Sequence, residues 1–211
     1  MNRRRLAAAA VTAVAVACLA LSGCASAATP ASSADDAPRL GEVSPGLPDG
    51  EVVGQGMVLG DGADGAQLCL GAVAESAPPQ CAGIPLAEWS WDGLDGFETT
   101  GGVKWGSYAV QGTYDGTTFT VTQPPIMLAL YDPMIPADPT GGEPGAGSED
   151  DLLAIQEELP ERLGEAYFGS YPQDGWLFVD VLWDDGTWQD AADGEFGADT
   201  VIIRSALRQI G

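Results

Sequence analysis

The sequence predicts an α+β protein: an N-terminal small all-β, barrel-like domain with one disulfide, then a small α+β domain ordered helix, strand, strand, helix, strand. Three observations carry this prediction. Short apolar runs broken by Gly and Asp fill the chain from about 50 to 125, whereas helical spacing first appears near residue 150. A Pro- and Gly-rich stretch, 126–147, separates the two patterns. Apolar residues make up 45% of the 211, enough to build two small cores.

In the β half, strands are expected at Glu51–Leu59, Ala66–Leu70, Ile84–Trp89, Val103–Thr113 and Thr117–Thr122. Tyr114-Asp115-Gly116 joins the last two, because Asp-Gly suits a tight hairpin. Phe119 and Val121 alternate with Thr118, Thr120 and Thr122, the pattern of a half-buried strand. Pro124-Pro125 ends the sheet, and Ile126–Tyr131 is too apolar to be left in water. Ser148 followed by Glu149, Asp150 and Asp151 is a helix start, and Leu152, Ile155, Leu159 and Leu163 recur at helical spacing. Pro160 predicts a kink or restart there. Beyond it come a hairpin (Ala166–Tyr171 and Trp176–Trp183), a short helix (Thr187–Phe196) and a closing strand (Val201–Arg208).

Residues 1–23 have the order of a secretory leader, with Arg3, Arg4 and Arg5 before an apolar run from Leu6 to Leu21. That run is shorter than the roughly 20 residues a membrane span requires. Leu21-Ser22-Gly23-Cys24 resembles a bacterial lipobox. The resemblance implies cleavage before Cys24 and acylation of its thiol, with palmitate-like chains holding the protein at the extracytoplasmic face of the cell membrane. Residues 24–49, rich in Ala, Ser, Pro and Asp, read as a disordered tether reaching on the order of 25 Å. The folded part then divides into a β domain (50–125), a linker (126–147) and the α+β domain (148–211).

Charge and missing residue types narrow the function. There are 31 acids, 8 cations and no His, for a net charge of -23. Loss of the three leader arginines leaves five cations and a charge of -26. Such a chain repels phosphate backbones, so no nucleic-acid partner is expected. Without an imidazole there is no Ser-His-Asp or Cys-His relay and no His-ligated zinc. The reading is therefore of a non-enzyme with no cofactor and no metal.

Cys18 lies in the leader and Cys24 at its end, leaving Cys69 and Cys81 as the pair available to an exported domain. A structural disulfide is the simplest reading. A redox or metal pair would want Cys-x-x-Cys spacing or a His, and neither is there.

Trp89 and Trp91 stand two apart beside Glu88 and Asp92. On a strand they share a face and present a possible ligand-binding platform for sugar; packed inward, they fill a small barrel. Acids recur at Asp61 and Asp64, and at Asp180, Asp184, Asp185, Asp190, Asp193 and Glu195. None of these windows fits the EF-hand order, and solvated surface charge accounts for them. Asp185-Gly186-Thr187 matches the aspartic-protease triplet, three common residues that occur once.

The block Gln67-Leu68-Cys69-Leu70-Gly71 through Ser76-Ala77-Pro78-Pro79-Gln80-Cys81, with Trp105-Gly106, Tyr108 and Gly112-Thr113-Tyr114-Asp115-Gly116, resembles a domain of secreted or lipid-anchored proteins of high-GC Gram-positive bacteria. That resemblance covers about a third of the chain and implies an exported, anchored protein with no assigned activity. Leu163-Gly164 through Gly169-Ser170-Tyr171 is similar to the pro-domains of some bacterial secreted serine proteases, although no protease follows. The expected function is a membrane-anchored binding module whose partner is an envelope protein or a glycan. The alternative is a carbohydrate-binding or carbohydrate-active envelope protein.

Overall fold

A computed structural model describes residues 37–60, 65–132 and 138–210; Cys24, the leader, Asp61 and Asp64 lie outside these. The fold is α+β, with a closed five-stranded barrel and a three-stranded sheet carrying two helices on one face.

The barrel strands are β1 (Val52–Gly60), β2 (Ala66–Cys69), β3 (Ile84–Ala87), β5 (Val103–Tyr114) and β6 (Phe119–Val121). They close in the order β1-β2-β3-β6-β5-β1, antiparallel except for the parallel pair β3–β6. This is an OB-like arrangement, which by itself assigns no ligand. The nine-residue register of β1 on β5 forms the spine. Glycines let these strands coil tightly: a Cβ on Gly56 would collide with the Cys69 carbonyl, and one on Gly112 with that of Thr120. Val52, Val58, Leu68, Tyr108, Val110 and Phe119 fill the interior. The Asp115 carboxylate accepts from the backbone N–H groups of Thr117 (2.9 Å) and Thr118 (2.8 Å), which fixes the predicted hairpin turn.

Two short strands extend the β5 edge. β4 (Phe97–Thr100) was not expected, since Phe97-Glu98-Thr99-Thr100 has one apolar residue and no alternation. β7 (Ile126–Met127) pairs with Tyr108 and Ala109, but the apolar Ile126–Tyr131 run is not withdrawn from water as expected: Ile126 is 43% and Leu130 75% exposed.

In the second lobe, α1 (Glu149–Leu163) runs through Pro160 as one continuous helix, so no restart occurs. Ser148 caps it by accepting from Asp151 N–H, as its position predicts. The sheet is β10-β9-β8: β8 (Tyr167–Gln173) and β9 (Trp176–Val181) make the predicted hairpin, and β10 (Val201–Ser205) lies parallel to β9. Leu177, Val179, Val181 and Val201 face α1 and α2 (Thr187–Phe196), where Leu152, Leu159, Trp188 and Ala192 complete the core. The Gln189 side chain acts as a surrogate strand, accepting from Ile203 N–H (2.8 Å) and donating to the Val201 carbonyl (2.9 Å).

Three expectations are corrected. Val201–Arg208 is not one strand: β10 stops at Ser205, and β11 (Leu207–Gln209) pairs with Val52–Gly54 of β1, so the chain end joins the barrel sheet. Residues 37–49 of the assigned tether form a packed strap. Leu40 is 1% exposed among the helices; its carbonyl accepts from Arg162 Nε (2.8 Å), and its N–H donates to Glu195 (3.0 Å). Two apolar residues, Leu40 and Val43, suffice, and an average over 24–49 hides them. The 126–147 linker is likewise tied down at its far end, where Gly145, Ala146 and Gly147 donate to the carbonyls of Asp174, Asp199 and Gly175.

Candidate functional site

Cys69 and Cys81 form the disulfide, with Cα atoms 6.0 Å apart. It closes the loop after β2, which Ala74 and Gln80 brace as an isolated bridge. Trp89 and Trp91 lie beyond β3, which ends at Ala87, and not on a shared strand face. Glu88 takes a left-handed backbone (φ 59°) and turns the chain there. Trp91 is buried, packed against Phe97 and Tyr108 with ring centroids 5.2 and 6.2 Å away. Trp89 meets Trp91 edge-on, with centroids 5.2 Å apart and an angle of 81°, so the two rings make no flat platform. Trp89 remains half-buried and lines a depression of about 320 Å³ with Glu88, Ser90, Asp92 and Thr122. The indole N–H groups of both tryptophans are buried without an oxygen partner among the described residues.

A larger cavity lies elsewhere. A groove of about 1060 Å³ runs where barrel and α+β layer meet. β1 contributes Gln55, and the segment after β2 contributes Leu70 and Gly71; the facing wall carries Phe168, Asp180, Trp183 and Asp184. Its floor is the β10–β11 crossover, Ile202–Gln209, held by Ala206 and Leu207 donating to the carbonyls of Val181 and Leu182. The lobes touch at Gly71, where an added Cβ would come within 3.0 Å of the Phe168 ring. A second cavity of about 700 Å³, lined by Tyr114, Thr117 and Glu165, shares Gly71, Ala72 and Phe168 with the groove.

Two charged groups on the groove wall have defined geometry. Arg204 is held by Asp180 through Nε to Oδ1 (2.8 Å) and a terminal nitrogen to Oδ2 (2.7 Å), while its other terminal nitrogen donates to the Tyr171 hydroxyl (2.8 Å). Burial alone would lower the guanidinium pKa, but the bonds and charge of Asp180 outweigh it and the pKa is raised. Asp184 accepts from the N–H groups of Trp188 (2.9 Å) and Gln189 (3.2 Å), capping α2 from two residues before the N-cap Gly186. Desolvation still pushes the Asp184 pKa up against those bonds, with a smaller push from Asp185.

The acids that looked like loose surface charge are mostly employed in holding the fold. Asp185 accepts from Thr187 N–H and, across the strap, from Gly46 N–H (2.9 Å), so the Asp-Gly-Thr triplet is a helix entry. Asp193 accepts from Gln189, and Glu195 pairs with Arg162. Among the described residues no group of three or more acids or cysteines is placed to hold a metal ion, and no helix is long and apolar enough to cross a membrane.

No family model, characterised protein or solved structure matches this chain. The groove was not visible in the sequence because its walls come from residues 55–72, Pro139, residues 168–189 and residues 202–209. One signal pointed to it: of the five cations beyond the leader, Arg204 and Arg208 stand four apart near the chain end, and both line the groove.

Proposed function

We propose that this protein is a binding module of the cell envelope, acylated at Cys24, held at the outer face of the cytoplasmic membrane, and engaging its partner in the groove between the two lobes. The observation that carries this is the groove itself, formed by both lobes and at the upper end of the size of small-ligand sites, about 300–1,000 Å³. It collects two of the five post-leader cations on a strongly acidic chain. Function by binding rather than catalysis follows from the chemistry at hand. The sequence has no His, and the groove carboxylates are engaged, Asp180 by Arg204 and Asp184 by the start of α2. The docked strap limits how far the body stands from the lipid. Leu40 lies 16 residues after Cys24, a reach of at most roughly 55 Å.

The test places a photo-crosslinking residue at Gln55 or Gln209 in the groove, and at Glu98 on exposed β4 as control, in cells expressing the full chain. Adducts are expected at the first two positions and not the third. Equal labelling at all three, or none in the groove, rejects the groove as the binding site. Intact-mass analysis of the membrane fraction checks the anchor, and an unmodified Cys24 removes it.

A second reading, carbohydrate binding at Trp89, is favoured by the depression beside Glu88 and Asp92 and by an indole N–H without a partner among the described residues. Fluorescence titration of Trp89→Phe against wild type with wall glycans tests it, and identical curves reject it.

A further inference from the structure

Resting on the groove as the binding site, we propose that its ligand is a single-chain amphiphile, with its polar head in the groove and its aliphatic tail in the adjoining cavity of about 700 Å³. The two spaces are continuous, since Gly71, Ala72 and Phe168 line both. Their chemistry differs. Leu68 and Ile84 of the barrel and Phe168 and Leu182 of the other lobe give the cavity apolar walls. Its polar side chains among the described residues are Tyr114, Thr117, Tyr167 and Glu165. The first three are engaged: the Tyr114 hydroxyl donates to the Gly116 carbonyl (2.7 Å), that of Thr117 to the Asp115 carboxylate (2.9 Å), and that of Tyr167 shares a hydrogen bond with Ser170 (2.7 Å). Glu165 is exposed to solvent. A cavity water needs about two to four polar partners, so walls of this kind favour an apolar guest over water.

Shape then narrows the guest to one chain. The lobes touch where the two spaces join: an added Cβ on Gly71 would come within 3.0 Å of the Phe168 ring, and Ala72 beside it carries only a methyl group. Whatever spans the joint is slender, and an alkyl chain suits it better than a ring. On the groove side the guest meets Arg204 and Asp180, joined by bonds of 2.8 and 2.7 Å and 38% and 40% exposed. A head group with donors and acceptors finds partners in that pair, whereas a methylene chain finds none. Arg204 also stacks over Tyr171 and Phe178, at 5.1 and 5.2 Å from the ring centroids, so the pair is positioned before the ligand arrives and less entropy is lost on binding. A tail leaving a bilayer exchanges one apolar environment for another. The cavity therefore keeps the tail from water, and contacts to the head set the preference. A protein acylated at Cys24 sits beside the supply of such molecules.

The experiment places the full chain on phosphatidylcholine vesicles containing a trace of palmitoyl-lysophosphatidylcholine with a photoreactive diazirine, either at the end of the tail or next to the head, and maps adducts by peptide mass. The tail-end probe is expected to label residues 82–85, 114–117 and 165–168, and the head-proximal probe residues 180–184 and 202–207. Unlabelled lysophosphatidylcholine should displace both probes, and glycerophosphocholine, which has the head and no tail, should displace neither. Ala72→Trp fills the joint from an exposed position and should cut tail-end labelling by on the order of tenfold, whereas Ala72→Ser should leave it unchanged. The proposal is overturned by the same adduct pattern from both probes, by tail-end adducts confined to the exposed Ile126 and Leu130, by displacement with glycerophosphocholine, or by unchanged labelling in Ala72→Trp. Absence of adducts from either probe while Gln55 and Gln209 still crosslink in cells rejects the amphiphile and keeps the groove; absence of both rejects the two together.

Discussion

Leu40→Ala tests whether the folded body begins at residue 37 or at 50. Leu40 is 1% exposed and lies in one cluster with Leu159 and Leu163 of α1, Trp188 and Ala192 of α2, and Val179 and Val181 of β9. Truncation removes the transfer free energy of a fully buried side chain and leaves a cavity that two helices and a sheet cannot all close upon. Such sites lose about 2–5 kcal/mol, and about 3 kcal/mol is the expectation here. For a chain of this size that lowers the melting temperature by about 6–12 °C. Urea unfolding should show a lower midpoint with an unchanged slope. Leu47→Ala, 57% exposed in the same strap, should stay within about 0.5 kcal/mol of wild type. Gly41→Ala should also destabilise, because Gly41 has φ +89° and an added Cβ would lie 2.6 Å from the Arg162 carbonyl oxygen. If Leu40→Ala unfolds no earlier than Leu47→Ala, the strap is not docked and the argument from its contacts collapses.

Three further outcomes are expected. Replacing Cys69 and Cys81 together by Ser should lower stability by about 3 kcal/mol, the loop-closure value for their separation of 12 residues; equal urea midpoints for variant and wild type would refute this. Trp91→Phe removes a buried N–H without an oxygen partner among the described residues, whose desolvation costs about 1–3 kcal/mol, so relief offsets lost packing and the net change stays small. Trp188→Phe instead orphans the Val43 carbonyl and should cost more; the reverse order in chemical denaturation contradicts the reasoning. Asp184, with its pKa raised above the unfolded value, binds protons more readily folded than unfolded, so its contribution strengthens as pH falls towards the carboxylate range and weakens as pH rises through its folded pKa. Asp184→Asn removes that slope: the variant's stability relative to wild type should fall between pH 7 and pH 4, and a constant difference refutes the shift.

The sequence is legible where local chemistry decides structure. The Asp115-Gly116 hairpin, the Ser148 cap and the Leu152–Leu163 stripe are set by neighbours within a few residues, and each forms as expected. It is opaque where a distant partner decides. Phe97–Thr100 is a strand only because Val103–Gly106 offers an edge, and no periodicity within those four residues encodes that. Pro160 leaves α1 continuous because the helix is pinned at both sides of it, by Leu159 and Leu163 in the core and by Arg162 to the strap and Glu195. Val201–Arg208 reads as one strand because its alternation continues through Ala206, yet its two halves serve different sheets.

The acids show why the groove escaped a reading by residue type. A cluster such as Asp180 to Glu195 reads as surface charge because the sequence does not show what each carboxylate faces. In the fold, Asp180 faces Arg204, Asp184 and Asp185 face the start of α2, and Glu195 faces Arg162 and the strap. Charges spent this way no longer define what the protein attracts at close range. At physiological ionic strength the Debye length is about 8 Å, so a ligand inside the groove feels mainly the groups on its walls and little of the remaining surface acids. Raising salt should therefore alter the association rate of a charged competitor far more than the affinity of a neutral ligand. Comparable salt dependence for both would refute this account of screening.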